Sequence, residues 1–140
     1  LAFQLIIDIN YSTLINFGEM DFVVAGPGAR DGIYKCFGLD SRGIEAEIIR
    51  YMSEAQEEHF TRLGLSFPSL NGRRLQLIDC QNLFCEVGKY ARVAHPGIPG
   101  YSGRTRIKQR YVPSDQAMTS WFPPKWGIND SAQSKAGLRA

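Results

Sequence analysis

The sequence predicts a mainly α-helical fold within a single domain. Two observations carry that expectation. From Ser41 to Gly64, Ile44, Ile48, Ile49, Met52, Ala55 and Phe60 recur at helical spacing, while Glu45, Glu47, Glu54, Glu57 and Glu58 fall largely on the other side, the pattern of a half-buried helix. A second apolar line, Leu83, Phe84, Val87, Tyr90 and Ala94, marks a helix over about 79–94. At 140 residues the chain is long enough to bury one real core.

In chain order, residues 2–10 read as a buried helix, because Phe3, Leu5, Ile6, Ile7 and Ile9 leave little polar surface. Turn chemistry follows at Tyr11-Ser12 and Asn16-Phe17-Gly18. Gly26-Pro27-Gly28 opens a short helix from Ala29 to Phe37, with Gly38 as its C-cap. Ser41 starts the long helix and Gly64 ends it. An Asn71-Gly72 turn leads to the next helix, with Asp79 near its N-cap and His95-Pro96-Gly97 as its stop. Arg104, Arg106, Lys108 and Arg110 then alternate with Thr105, Ile107 and Gln109, a period of two that predicts a short basic extended segment. An aromatic cluster from Trp121 to Trp126 closes the domain at 1–126, and residues 127–140 read as a flexible tail.

The opening run Leu1 to Ile9 is too short to span a bilayer, is interrupted by Asp8, and lacks the basic flank and cleavage site of a signal peptide. No membrane segment or secretion signal is expected, although a first residue that is not methionine fits a fragment or trimmed chain. Three cysteines, Cys36, Cys80 and Cys85, form no disulfide framework and no zinc spacing; they read as small buried side chains in a reducing, intracellular compartment. No metal and no cofactor are expected. Charge is split along the chain. Residues 1–72 hold 5 Lys/Arg against 10 Asp/Glu, and residues 73–140 hold 11 against 4, so the second half either faces a polyanion or is a solvated basic surface.

Three constellations could carry chemistry. Asp79, Asn82, Glu86 and Lys89 are spaced three, four and three, which puts them in one line on a helix. Such a line can position a substrate, move a proton and stabilise developing charge; equally, Asp79 could cap the helix while Glu86 and Lys89 pair in solvent. Gly26-Pro27-Gly28 presents backbone N–H groups beside a positive helix end, a phosphate seat that Arg30 could reinforce; a plain tight turn is the alternative. It lacks the Gly-Lys-Ser/Thr ending of a nucleotide-binding loop. The basic series Arg104, Arg106, Lys108 and Arg110, with Tyr111 and the Trp121–Trp126 aromatics, suits phosphate pairing and base stacking, or a basic edge with aromatics packed on the core.

Phe3-Gln4-Leu5-Ile6-Ile7-Asp8-Ile9-Asn10-Tyr11-Ser12, Asp21-Phe22-Val23-Val24-Ala25-Gly26-Pro27-Gly28-Ala29 and Asp79-Cys80-Gln81-Asn82-Leu83-Phe84-Cys85-Glu86-Val87-Gly88-Lys89-Tyr90 together resemble the DNA-glycosylase-like helical proteins of thymine hypermodification. That group includes the α-glutamyl/putrescinyl thymine pyrophosphorylases and the helical domain associated with 5-hydroxymethyl-deoxyuridine DNA kinases. The resemblance implies an all-α helix-hairpin-helix fold acting on a modified pyrimidine extruded from DNA. In the pyrophosphorylase branch, an amine or amino acid displaces a diphosphate from the 5-hydroxymethyl group. On that reading Asp79 is the base or electrostatic stabiliser, Asn82 and Glu86 position the base or amine, and Lys89 contacts phosphate. Gly26, Gly28, Arg30, Arg104, Arg106, Lys108 and Arg110 would hold the DNA backbone. The rival readings are a non-catalytic DNA-binding module and an accessory helical domain for a partner kinase.

Overall fold

The computed structural model describes residues 2–67, 69, 72–107, 112–113 and 121–130. They form five α-helices: α1 (Ala2–Asn10), α2 (Pro27–Phe37), α3 (Glu45–Glu54), α4 (Gln56–Arg62) and α5 (Leu77–Ala94). Short 3-10 turns occupy Gly38–Ser41 and Pro124–Trp126. The chain divides into two compact units, one of residues Leu1–Gly18 and Tyr111–Ala140, the other Glu19–Arg110.

The larger unit is built on α2 against α5, the most extensive helix pairing of the fold. Ala29, Ile33, Ile49, Leu77, Cys80 and Phe84 form its core, with Val23, Ile48, Met52 and Leu75 packed around them. The backbones of α2 and α5 come close at Gly32 and Gly88. A Cβ on Gly32 would lie 1.9 Å from the carbonyl oxygen of Phe84, so only glycine fits there. Because of this close approach, α5 turns Leu77, Cys80, Gln81, Phe84, Gly88 and Ala91 inward. The expected packing face is therefore corrected: Phe84 is buried, but Leu83 and Tyr90 are 51% and 65% exposed. Small residues, not the largest apolar ones, decide which face meets α2.

The long helix expected from Ser41 to Gly64 is two helices with a later start. Ser41 closes the 3-10 turn, its hydroxyl donating to the Gly38 carbonyl at 2.6 Å, and Gly43 takes a φ of 88° that a continuing helix could not hold. The break at Ala55 has a polar cause. Buried Ser53 and Gln56 clamp the backbone of Leu75: Ser53 Oγ and Gln56 Nε2 each donate to its carbonyl at 3.0 Å, and its N–H donates to Gln56 Oε1 at 2.9 Å. Arg74 donates to the Ser53 and Glu54 carbonyls at 2.5 and 3.2 Å. Carbonyls released by the break are thus satisfied from the 74–75 segment.

In the smaller unit, the expectation of a buried α1 is corrected too. Only Ile7 and Asn10 are buried, and Leu5 is 59% exposed; a short helix that is apolar all round has more apolar surface than one packed side can cover. The Asn10 side chain exchanges two 3.3 Å hydrogen bonds with the backbone of Phe17, fixing the turn after α1. Tyr11 meets Trp126 edge-on at 5.9 Å, and Asn129 bonds the Phe122 N–H and carbonyl at 2.8 and 3.0 Å. That anchors the start of the stretch read as a tail; residues 131–140 lie outside the described residues.

Candidate nucleic-acid interface

Arg30 stands one turn into α2, Tyr34 one turn further, Arg42 follows the 3-10 turn, and Tyr101 comes from the connection after α5. The structure gathers them on one exposed patch. The Arg30 and Arg42 guanidinium carbons lie 4.5 and 4.9 Å from the Tyr101 ring centroid. Arg42 Nη2 also donates to the Tyr101 hydroxyl at 3.4 Å, and Tyr34 meets the same ring edge-on at 6.2 Å. The Arg42 hydrogen bond, then the charges of Arg30 and Arg42, lower the phenol below its ordinary pKa. Arg30 is balanced by Glu45 at 3.2 Å. Arg42 has no carboxylate partner among the described residues. Tyr34, Arg42, Gly100 and Tyr101 border an open hollow of about 310 Å³.

A buried ion pair sets the position of Tyr101. Asp31 Oδ2 accepts from Arg92 Nη2 at 2.8 Å, and Asp31 Oδ1 accepts the Ser102 backbone N–H at 2.7 Å. Gly100 passes so close that a Cβ there would lie 2.6 Å from the Asp31 carboxylate. Lys35 Nζ donates to the Ile98 carbonyl at 2.7 Å, tying down the same connection one turn away. Burial alone would raise the Asp31 carboxyl, but the Ser102 N–H and Arg92 outweigh it and hold it below the ordinary aspartate value.

Residues 1–100 match the family model described as the helical domain of 5-hmdU DNA kinases. The chain belongs to this family. No curated protein and no solved structure matches. Of the two groups in the resemblance, the match is to the kinase helical domain, which ties the chain to DNA-base modification and agrees with its helical architecture. The matched stretch takes in α1 to α5 and ends immediately before Tyr101.

Within this 5-hmdU kinase helical domain, the residues singled out by the sequence fall in three places. Asp79 is the third residue of α5, where its Oδ2 accepts the Gln76 N–H at 2.8 Å and lies 3.5 Å from Arg73 Nη1. It lies near the N-cap as expected, at the third position of the first turn, where it closes a capping box with Gln76. Asn82 is exposed, and Glu86 and Lys89 pair at 2.5 Å in solvent. The helical repeat sets all four on the side of α5 away from its buried face.

Gly26 caps α2 in an extended conformation and Pro27 takes the first helical position. The chain directly before it, residues 11–26, is not helical, and the motif opens α2. Gly28 faces Cys85, whose sulfur would lie 3.0 Å from an added Cβ, so its small size serves packing of α2 on α5. Arg30 joins the patch. Arg104 and Arg106 are exposed on an irregular segment rather than an extended strand, and Lys108 and Arg110 lie outside the described residues.

Cys36, Cys80 and Cys85 are all free thiols. Cys80 is buried as expected, its thiol pushed up to about 11 chiefly by desolvation; Cys36 is exposed, because it sits on the outer side of α2. Among the described residues no group of three or more His, Cys, Asp or Glu is placed to hold a metal, and no helix is long and apolar enough to cross a membrane. Asp31, Arg42, Arg92 and Tyr101 escaped the sequence reading. A signal was present in Tyr101, an aromatic between Gly100 and Gly103 directly before the basic run.

Proposed function

We propose that this helical domain binds DNA for modification of 5-hydroxymethyl-deoxyuridine, as a non-catalytic module working beside a kinase. The observation that carries the reading is the exposed Tyr101 ring with the Arg30 and Arg42 guanidiniums 4.5 and 4.9 Å from its centroid. Two guanidiniums can neutralise adjacent phosphates while the ring offers a face to an unstacked base. Arg104 and Arg106, exposed just beyond, extend the basic surface along the strand. The enzyme reading, in which Asp79, Asn82, Glu86 and Lys89 transfer an amine or amino acid onto a diphosphorylated base, draws less support. Asp79 is occupied at the helix start and Lys89 by Glu86.

Duplex binding measured against salt tests the proposal. The expected result is a linear fall of log K with log salt, with Arg30→Ala and Arg42→Ala each lowering the slope by about one. Tyr101→Ala should weaken binding to single-stranded or mismatched DNA by roughly 1–3 kcal/mol. Absence of binding at low salt, or unchanged slopes, would overturn the reading.

A second feature favours contact with a protein partner. Phe37 of α2, Met52 of α3, Phe60 of α4, and Leu83 and Val87 of α5 line an apolar groove of about 270 Å³, and Phe37 and Leu83 are about half exposed. The kinase body is the occupant this reading names. Leu83→Glu should abolish co-purification with the kinase while leaving DNA affinity in place; unchanged co-purification rejects it.

A further inference from the structure

A pocket of about 220 Å³ lies between the end of α5 and the connection that follows it, distinct from the Tyr101 patch. Three cations reach it: Lys35 from the last turn of α2, Arg92 from the last turn of α5, and Arg104. Asp31, bound to Arg92, is the one carboxylate paired with any of them among the described residues, so the walls carry an excess of positive charge. Pro96, Ile98 and Pro99, with the glycines Gly97, Gly100 and Gly103, make up most of the remaining lining.

The decisive group is Arg92. Its side chain is only 8% exposed, one Nη is committed to Asp31, and its Nε–H is buried without an acceptor. A buried donor of a charged group left unpaired is costly, and such groups are rare unless a ligand, ion or water completes them. Lys35 spends one N–H on the Ile98 carbonyl and has two more to give. The Arg104 side chain has no acceptor among the described residues, although its backbone N–H is held by Ser102 Oγ at 3.3 Å.

We propose that this pocket binds a phosphate-type oxyanion, with Arg92 as the buried anchor and Lys35 and Arg104 closing on it from the rim. A tetrahedral oxyanion offers several acceptor oxygens to donors arriving from three directions, and charge-assisted bonds of this kind are the strong ones. The phosphate belongs either to a DNA backbone or to a small phosphorylated molecule. Arg92 and Lys35 belong to this pocket alone, whereas Arg104 is shared with the basic surface of the DNA-binding reading, so Lys35 is the residue that separates the two.

The test is titration of the full chain with inorganic phosphate at fixed ionic strength, followed calorimetrically. The expected result is saturable one-site binding at millimolar phosphate or below. Lys35→Ala and Arg104→Ala, both at partly or fully exposed positions that the core does not need, should each weaken it about tenfold. Arg62→Ala, outside the lining of this pocket, should leave it unchanged. A parallel loss of duplex affinity in Lys35→Ala assigns the pocket to backbone phosphate; retained duplex affinity with lost phosphate binding in Lys35→Ala assigns it to a small phosphorylated ligand. No saturable binding of phosphate, or wild-type binding by both variants, overturns the proposal.

Discussion

The Arg92 guanidinium lies 2.8 Å from the Asp31 carboxylate, with the two side chains 8% and 1% exposed. This ion pair joins α2 to α5 and, through the Ser102 N–H, holds the connection carrying Tyr101. Breaking one side leaves the other charge buried alone. Asp31→Ala is expected to cost about 3–5 kcal/mol, seen as a lower urea midpoint at unchanged m-value. The double replacement Asp31→Leu with Arg92→Met removes both charges and should cost clearly less. A double-variant loss equal to the sum of the separate Asp31→Leu and Arg92→Met losses would mean the pair is not coupled.

The same carboxylate gives acid sensitivity a direction. The folded pKa of Asp31 lies below its ordinary 3.8, and that of Glu45 below its ordinary 4.5. For Glu45, burial acts upward, but its own backbone N–H, Arg30 and the Gly43 N–H prevail. A depressed pKa means the unfolded chain takes up the proton first, so the stabilisation is complete above the ordinary values. It is lost as pH falls below 4.5 for Glu45 and below 3.8 for Asp31, through their folded values. Stability measured from neutral pH downward should be less steep through this window in Asp31→Asn and in Glu45→Gln. A wild-type slope in both variants would exclude these two groups.

Helix contact at Gly32 makes a steric prediction. An alanine Cβ would sit 1.9 Å from the Phe84 carbonyl oxygen, a backbone atom that cannot swing aside. Gly32→Ala should therefore cost about 3 kcal/mol, the upper part of the overpacking range. At Gly28 the neighbour is the Cys85 sulfur at 3.0 Å, which can shift slightly, and Gly28→Ala should cost roughly 1 kcal/mol. Thermal melts should rank the two in that order; the reverse order would place the closest approach of α2 and α5 elsewhere.

How far these features were legible depends on the range of the forces behind them. α2, with Pro27 first and Gly38 after its end, follows from local backbone preference, and the sequence showed it. The breaks at Gly43 and Ala55 were hidden because Gly43 could sit in a helix pattern at modest cost, and Ser53 and Gln56 reveal their purpose only when Leu75 arrives from another segment. The packed face of α5 was misread for a related reason. Hydrophobic size points to Leu83 and Tyr90, whereas the contact with Gly32 rewards small residues. Of the interface, Arg30 was visible as a basic residue at a helix start. Arg42 and Tyr101 are 59 residues apart in sequence, and nothing local pairs them.

Asp79 offers the sharpest separation between a structural and a chemical role. Its carboxylate accepts the Gln76 N–H at 2.8 Å, lies at the positive end of α5, and is linked to Arg73, which also pairs with Glu19. A first-turn acidic residue of this kind is worth about 0.5–2 kcal/mol through the cap and the helix dipole. Asp79→Ala should lose that amount, and Asp79→Asn less, because the amide oxygen can still accept the N–H. If the role is structural, Asp79→Asn combined with the kinase should still modify DNA bearing 5-hydroxymethyluracil, as read by mass spectrometry of the nucleosides. Loss of product with melting temperature and DNA affinity preserved would instead place Asp79 in the chemistry, and would restore the line Asp79, Asn82, Glu86 and Lys89 as an active face.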